Sequence, residues 1–157
     1  MPERFSWVVE NMIAGMERPG SFFPLEEDLD FLKQRGIDVV VNLEEEEYFR
    51  DYSGFLVRHI PIMDFGPPRL EDFAAFVEFV DSQIKNDRSI AVHCYAGMGR
   101  TNLMIASFLI HHLKIDPREA LELVKVKRPF YLVTQRQEEA LWDYFSVVRH
   151  NLTDSNS

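Results

Sequence analysis

The sequence predicts an α/β domain with a central, mostly parallel mixed sheet flanked by helices. Three observations carry that expectation. Apolar and β-branched runs at residues 37–43 and 89–93 read as strands covered on both faces. Helix-period stripes follow, above all at residues 70–84 and 101–113. Strands crowd the first half, helices dominate the second, and no repeat or linker divides the chain. The 157 residues suffice for one domain with a real core. Residues 1–150 are assigned to it, and the polar residues 151–157 to a disordered tail.

Taken in order, residues 5–9 and 12–16 are short extended segments, with Asn11 and Gly15 allowing a turn and a bend. Pro24 and the acidic residues after it suit the first turn of a helix with Leu25, Leu29 and Leu32 on one stripe, and Gly36 ends it. The strand at 37–43 runs into four consecutive glutamates at 44–47, read as a solvated helix start because no further ligand is spaced with them for a metal. Residues 56–62 form another strand. The Gly/Pro-rich residues 63–68 make a loop, and the stripe Leu70, Phe73, Phe76, Val77, Val80 and Ile84 makes an amphipathic helix. The nearly all-apolar segment 101–113 is a buried helix. Asp116 as cap and Pro117 at the first position open another, closed by Arg128-Pro129, and a last helix runs over about 134–148.

Seventeen basic against 26 acidic residues give a net charge of -9, which argues against general affinity for nucleic acid or an anionic membrane. A single cysteine excludes an internal disulfide and fits a reducing compartment. Pro2, Glu3, Arg4 and Glu10 interrupt any leader-like start, and no apolar run reaches membrane-spanning length. The expected address is the cytoplasm, with the nucleus as a second location.

The chemistry concentrates in Ala91-Val92-His93-Cys94-Tyr95-Ala96-Gly97-Met98-Gly99-Arg100-Thr101. A strand, a glycine loop and a helix start place a thiol at one end of the loop and a guanidinium at the other. If the loop curls, the N–H groups of Tyr95, Ala96, Gly97, Met98, Gly99 and Arg100 converge on one point, and the two glycines supply the dihedrals this needs. The helix dipole and the Arg100 fork favour a tetrahedral oxyanion there. A cysteine at a helix N-terminus beside a cation ionises more readily than a free thiol, and the thiolate is the nucleophile. The expected reaction is phosphoryl transfer to Cys94, then hydrolysis, with no metal or other cofactor because Arg100 and the amides supply the charge. His93 either holds the loop and tunes the thiolate or simply ends a strand. Protonating the leaving oxygen calls for a carboxylate on another loop, and Asp64 in its Gly/Pro frame is placed for that.

The stretch from His93 to Thr101 resembles the signature loop of the cysteine-dependent protein tyrosine phosphatases, most closely the small atypical dual-specificity phosphatases. Phe5-Ser6-Trp7-Val8, Ile13-Ala14-Gly15 and Val40-Val41-Asn42-Leu43 are similar to that group's N-terminal half. Residues 60–68 resemble its general-acid loop, and Arg128-Pro129 through Thr134 with Gln137-Glu138 its closing segment. The resemblance implies a dual-specificity phosphatase-like fold and favours Asp64 over Asp72 as the acid. It further implies that the Thr101 hydroxyl stabilises the departing thiolate and that Gln137 orients the attacking water. Asn102 departs from the family, which has a small residue there; its side chain would shift the cradle or bond a neighbouring loop.

The expected activity is hydrolysis of phosphotyrosine, and of phosphoserine or phosphothreonine, in a protein or peptide partner, with Phe65, Phe130 and Tyr131 as an apolar rim. Two alternatives stand: the same chemistry on a phosphoinositide, inositol phosphate or RNA 5'-triphosphate, and a phosphate-binding module without turnover. Sequence leaves the oligomeric state open.

Overall fold

Strand residues at the centre of the molecule alternate between two apolar layers, as a strand with period two requires when both faces are covered. The computed structural model describes residues 1–46 and 52–155, with side chains as far as residue 150. Its strands are β1 (Ser6–Val9), β2 (Ile13–Met16), β3 (Ile37–Asn42), β4 (Leu56–His59) and β5 (Ser89–His93), in the sheet order β1-β2-β5-β3-β4. β1 is antiparallel to β2, and the other pairs are parallel. The helices are α1 (Leu25–Gln34), α2 (Leu70–Lys85), α3 (Arg100–Leu113), α4 (Pro117–Lys127) and α5 (Gln135–Ser155). The mostly parallel mixed sheet flanked by helices is the architecture the sequence predicts.

Val39, Val41, Ile90 and Val92 face the larger core, built with Phe73, Phe76, Leu103 and Phe108 from the helices α2 and α3. Val40 and Ala91, one residue out of phase, face a smaller core closed by Leu29 and Leu32 of α1. A fully buried aliphatic side chain of this kind contributes roughly 1.5–3 kcal/mol. α3 is buried from Arg100 to Ile110, which accounts for its nearly all-apolar composition. Asp116 caps α4 by accepting the Glu119 N–H at 2.8 Å. No described helix is long and apolar enough to cross a membrane.

Four expectations need correction. β4 ends at His59 rather than continuing to residue 62; Ile60 and Ile62 still donate to Asn42 O and Leu43 O, at 2.9 and 3.1 Å, but those carbonyls are one residue apart where a regular parallel ladder needs two, and both side chains are buried. Leu70 stands exposed in the first turn of α2, before the stripe reaches the core. α5 continues past residue 148 to Ser155, through residues 151–155 of the supposed disordered tail; no Gly or Pro interrupts it there. Glu44 is not part of a solvated helix start. It is buried, its N–H bonding the Asn42 Oδ1 at 2.9 Å, while Glu45 and Glu46 are exposed and Glu47 lies outside the described residues.

Candidate active site

β5 lies in the middle of the sheet, and its last residue, His93, is level with Met16 of β2 and Asn42 of β3. The loop after it therefore opens at the carboxyl ends of three parallel strands, where α/β sheets place ligands. The loop carbonyls are tied to donors around its outside. Cys94 O accepts from the His93 Nδ1–H at 3.0 Å, Tyr95 O from the Arg18 N–H at 3.1 Å, and Ala96 O from Arg4 Nη1 at 3.2 Å. Gly97 O accepts from Arg128 Nη2, and Met98 O from the Leu132 N–H at 2.8 Å. In a planar trans peptide the N–H points opposite to the carbonyl, so the amides after these carbonyls face the hollow of the loop. Gly97 has φ of +75°, and a Cβ there would sit 2.6 Å from Met16 O. A Cβ at Gly99 would sit 2.8 Å from Leu132 O. Both glycines are demanded by the backbone packed behind them.

Cys94 Sγ accepts hydrogen bonds from the Gly97 N–H at 3.3 Å and from Thr101 Oγ1 at 3.0 Å. Arg100 is buried at the start of α3 with Nη1 on Ile62 O at 3.0 Å, and its Nε lies 3.5 Å from Asp64 Oδ1. Asp64 comes from the loop before α2, with its side chain 49% exposed. Its N–H bonds Glu45 Oε1 at 2.9 Å, and its Oδ1 accepts the N–H of Phe65, a non-glycine residue at φ of 60°. Cys94, Arg100, Asp64 and Gln137 border one cleft of about 130 Å³. Its apolar wall is Phe65, Tyr95, Met98 and Leu132. Phe65 belongs to the rim as expected, whereas Phe130 and Tyr131 do not line the cleft; Tyr131 packs against the main core and bonds Glu138. Asp72 is held by Arg69 in a capping box at the start of α2.

The remaining expected residues lie beneath or beside the cleft. His93 is fully buried. A carbonyl can only accept, so its Nδ1 carries the hydrogen toward Cys94 O, and its Nε2 lies 3.3 Å from the Tyr52 hydroxyl. Glu44 joins this layer, with Oε2 3.7 Å from His93 Nδ1 and Oε1 3.3 Å from Arg18 Nε. Gln137 is buried. Its Oε1 accepts the Thr134 N–H and its Nε2 donates to Gly66 O at 3.2 Å, so it ties the acid loop to α5.

Two residues gain a definite place. The carboxamide nitrogen of Asn102 donates to Met98 O at 2.9 Å and Phe130 O at 2.7 Å, and its Oδ1 accepts from Arg128 Nε at 2.7 Å. Sequence reasoning missed Arg128, treating it as a helix stop; it is fully buried behind the loop. Burial lowers its pKa to about 10, so the group stays charged at neutral pH. The signal was the Arg-Pro dipeptide at the head of the segment that resembles the family's closing segment. Its burial depends on Gly15, where a Cβ would meet the guanidinium carbon at 2.7 Å.

Known proteins resemble this chain in sequence and in fold. Residues 14–114 match the family model described as polymorphic toxin system, DSP-PTPase phosphatase. The phosphatidylglycerophosphate phosphatase PTPMT1 of Arabidopsis thaliana is 29% identical over 145 residues, covering 85% of this chain and 43% of its own length. The tyrosine-protein phosphatase cdcA of Emericella nidulans is 30% identical over 118 residues, covering 73% of this chain and 20% of its own. The chain thus spans less than half the length of these curated relatives. The crystal structure of Tk-PTP in its active form has a TM-score of 0.79 at 28% identity, covering 92% of this chain and 97% of that one. PTPMT1 in complex with PI(5)P has the same fold, with a TM-score of 0.84 at 19% identity over 96% and 99% of the two chains.

Proposed function

The chain belongs to the DSP-PTPase phosphatase family, and from that premise we propose that it hydrolyses phosphotyrosine, and phosphoserine or phosphothreonine, in a protein or peptide through a cysteinyl-phosphate intermediate. The observation that carries this reading is the environment of Cys94. Its sulfur accepts two hydrogen bonds on the floor of a cleft whose other side holds Arg100 and Asp64.

In the reading, the loop amides and the Arg100 fork bind the phosphate oxygens, and the thiolate attacks phosphorus in line with the ester oxygen. Asp64 protonates that oxygen as the P–O bond breaks. It then takes a proton from the water that cleaves the S–P bond, and Thr101 donates to the departing sulfur. No metal ion takes part, because the positive charge is supplied by Arg100 and oriented amides. Gln137 supports the acid loop, and a water-orienting role would require its carboxamide to leave Gly66 or Thr134.

Two features favour a peptide over a polyanionic headgroup. Phe65, Tyr95 and Leu132 form a wall suited to an aromatic ring. The adjoining cleft of about 290 Å³ is flanked by Glu44, Glu45, Glu46 and Asp64, four carboxylates that outnumber Arg18 and Arg100 and repel additional phosphates. A second reading, a phosphatidyl monoester, draws on the named activity of one relative and on the apolar wall. Hydrolysis of an aryl phosphate in chelator, lost by at least about 10⁴-fold in Cys94→Ser, is the expected outcome. Unchanged turnover in that variant would overturn the mechanism. A panel of phosphopeptides, phosphatidylglycerophosphate and phosphoinositides then separates the two readings.

A further inference from the structure

Arg128 is a fully buried arginine whose four hydrogen-bond acceptors are all neutral: Asn102 Oδ1, Arg4 O, Ser6 Oγ and Gly97 O. Placing a cation in such a position is costly unless an anion lies within range. The anion on offer is in front of the loop. Gly97 accepts from Arg128 through its carbonyl and donates to Cys94 Sγ through its N–H. A single residue therefore separates the guanidinium from the sulfur.

We propose that Arg128, oriented by Asn102, is a positioning residue of the phosphatase reaction whose buried charge favours the Cys94 thiolate and the phosphoryl group across Gly97. This rests on the reading of Cys94 as the nucleophile. Asn102 makes the arrangement specific. Its oxygen fixes the edge of the guanidinium while its nitrogen clamps the carbonyls of Met98 and Phe130, so the departure from the small residue usual in the family adds a second link between the cradle and the cation behind it, beside the bond to Gly97 O. Attraction between Arg128 and an ionised Cys94 also opposes the loss of the guanidinium proton that burial promotes. The site then holds two cations with different tasks. Arg100 meets the phosphate oxygens, and Arg128 acts through the loop without touching substrate.

Cys94 is the sole cysteine, so its alkylation by iodoacetamide across pH reports on this sulfur alone and needs no substrate. A failure of dephosphorylation would therefore leave the test intact. Asn102→Asp keeps an acceptor for Arg128 Nε, gives up the donor to Met98 O and Phe130 O, and adds a carboxylate that neutralises the cation, whereas Arg128→Gln removes the charge and leaves Asn102 in place. Both are expected to raise the pH of half-maximal alkylation by about half a unit or more, while Arg128→Lys, which keeps the charge and loses the fork, restores most of the original value. A merely structural role would lower the melting temperature and leave that pH in place. An unchanged pH in folded Asn102→Asp, judged by circular dichroism, overturns the proposal, and it does so even if the Arg128 variants do not fold. An Arg128→Lys shift as large as that of Arg128→Gln overturns it as well.

Discussion

The cysteine loop and the acid loop face each other across one cleft but are held in opposite ways. The first is anchored from behind at five successive carbonyls by residues from the N-terminal segment, β5, α3 and the stretch before α5. Its glycines fit backbone with no room for a methyl group. The second presents Met63, Asp64 and Phe65 to solvent and is tied through side chains, Glu45 to the Asp64 N–H and Gln137 to Gly66 O. Charge stabilisation in a transition state gains from donors that need no rearrangement. A proton donor that must serve first a leaving group and then a water gains from a loop that can adjust. The difference in anchoring follows that difference in task.

Asp64→Asn tests the adjustable side most severely. It is expected to lower kcat by about 10²–10⁴-fold while phosphate inhibition stays near the parent value, since the loop amides are untouched and Arg100 keeps its bond to Ile62 O. Equal losses in kcat and phosphate affinity would show that the two loops are not separable. Gly97→Ala attacks the rigid side. The left-handed φ and the 2.6 Å approach to Met16 O together are expected to cost about 1–3 kcal/mol of stability and to weaken phosphate binding, read by thermal denaturation with and without phosphate. An unaltered phosphate-induced rise in melting temperature would break the link between backbone packing and anion binding. Glu45→Gln is the mildest change. It weakens a charge-assisted bond to the Asp64 N–H at an exposed site, and a loss of about two- to fivefold in kcat with unchanged phosphate inhibition is expected from steady-state kinetics.

The parts of the fold that depend on local pattern were legible in the sequence. The β-branched run of β3, the stripe of α2 and the Asp116-Pro117 start of α4 declare themselves within a few residues. That Cys94, Arg100 and Asp64 meet at one cleft was also legible, because glycine spacing and a Gly/Pro-framed carboxylate carry chemical meaning of their own, while the place of Thr101 beside Cys94 was legible through the family resemblance. Glu44 and Arg128 were not. Each is charged in a stretch that reads as polar, and each is drawn inward by partners far along the chain: Glu44 by Arg18 and His93, Arg128 by Arg4, Ser6 and Gly97. The tie from Gln137 to the acid loop was hidden for a related reason, since its contact with Gly66 spans 71 positions. A charge run looks solvated until the tertiary partner that buries one member of it is known.

The slot that Gly15 leaves for the Arg128 guanidinium has a consequence for the order of assembly. Arg128 reaches Arg4 and Ser6 across 124 and 122 positions, and the backbone behind Gly97 belongs to Met16 and Glu17. The cradle is thus closed by the two ends of the domain meeting, the kind of non-local contact whose loop entropy must be met before it rewards the chain. Helices can form and the central strands can pair while residues 94–100 still lack their final shape. Competence to hold an anion is on that account expected late in folding, when the N-terminal hairpin docks.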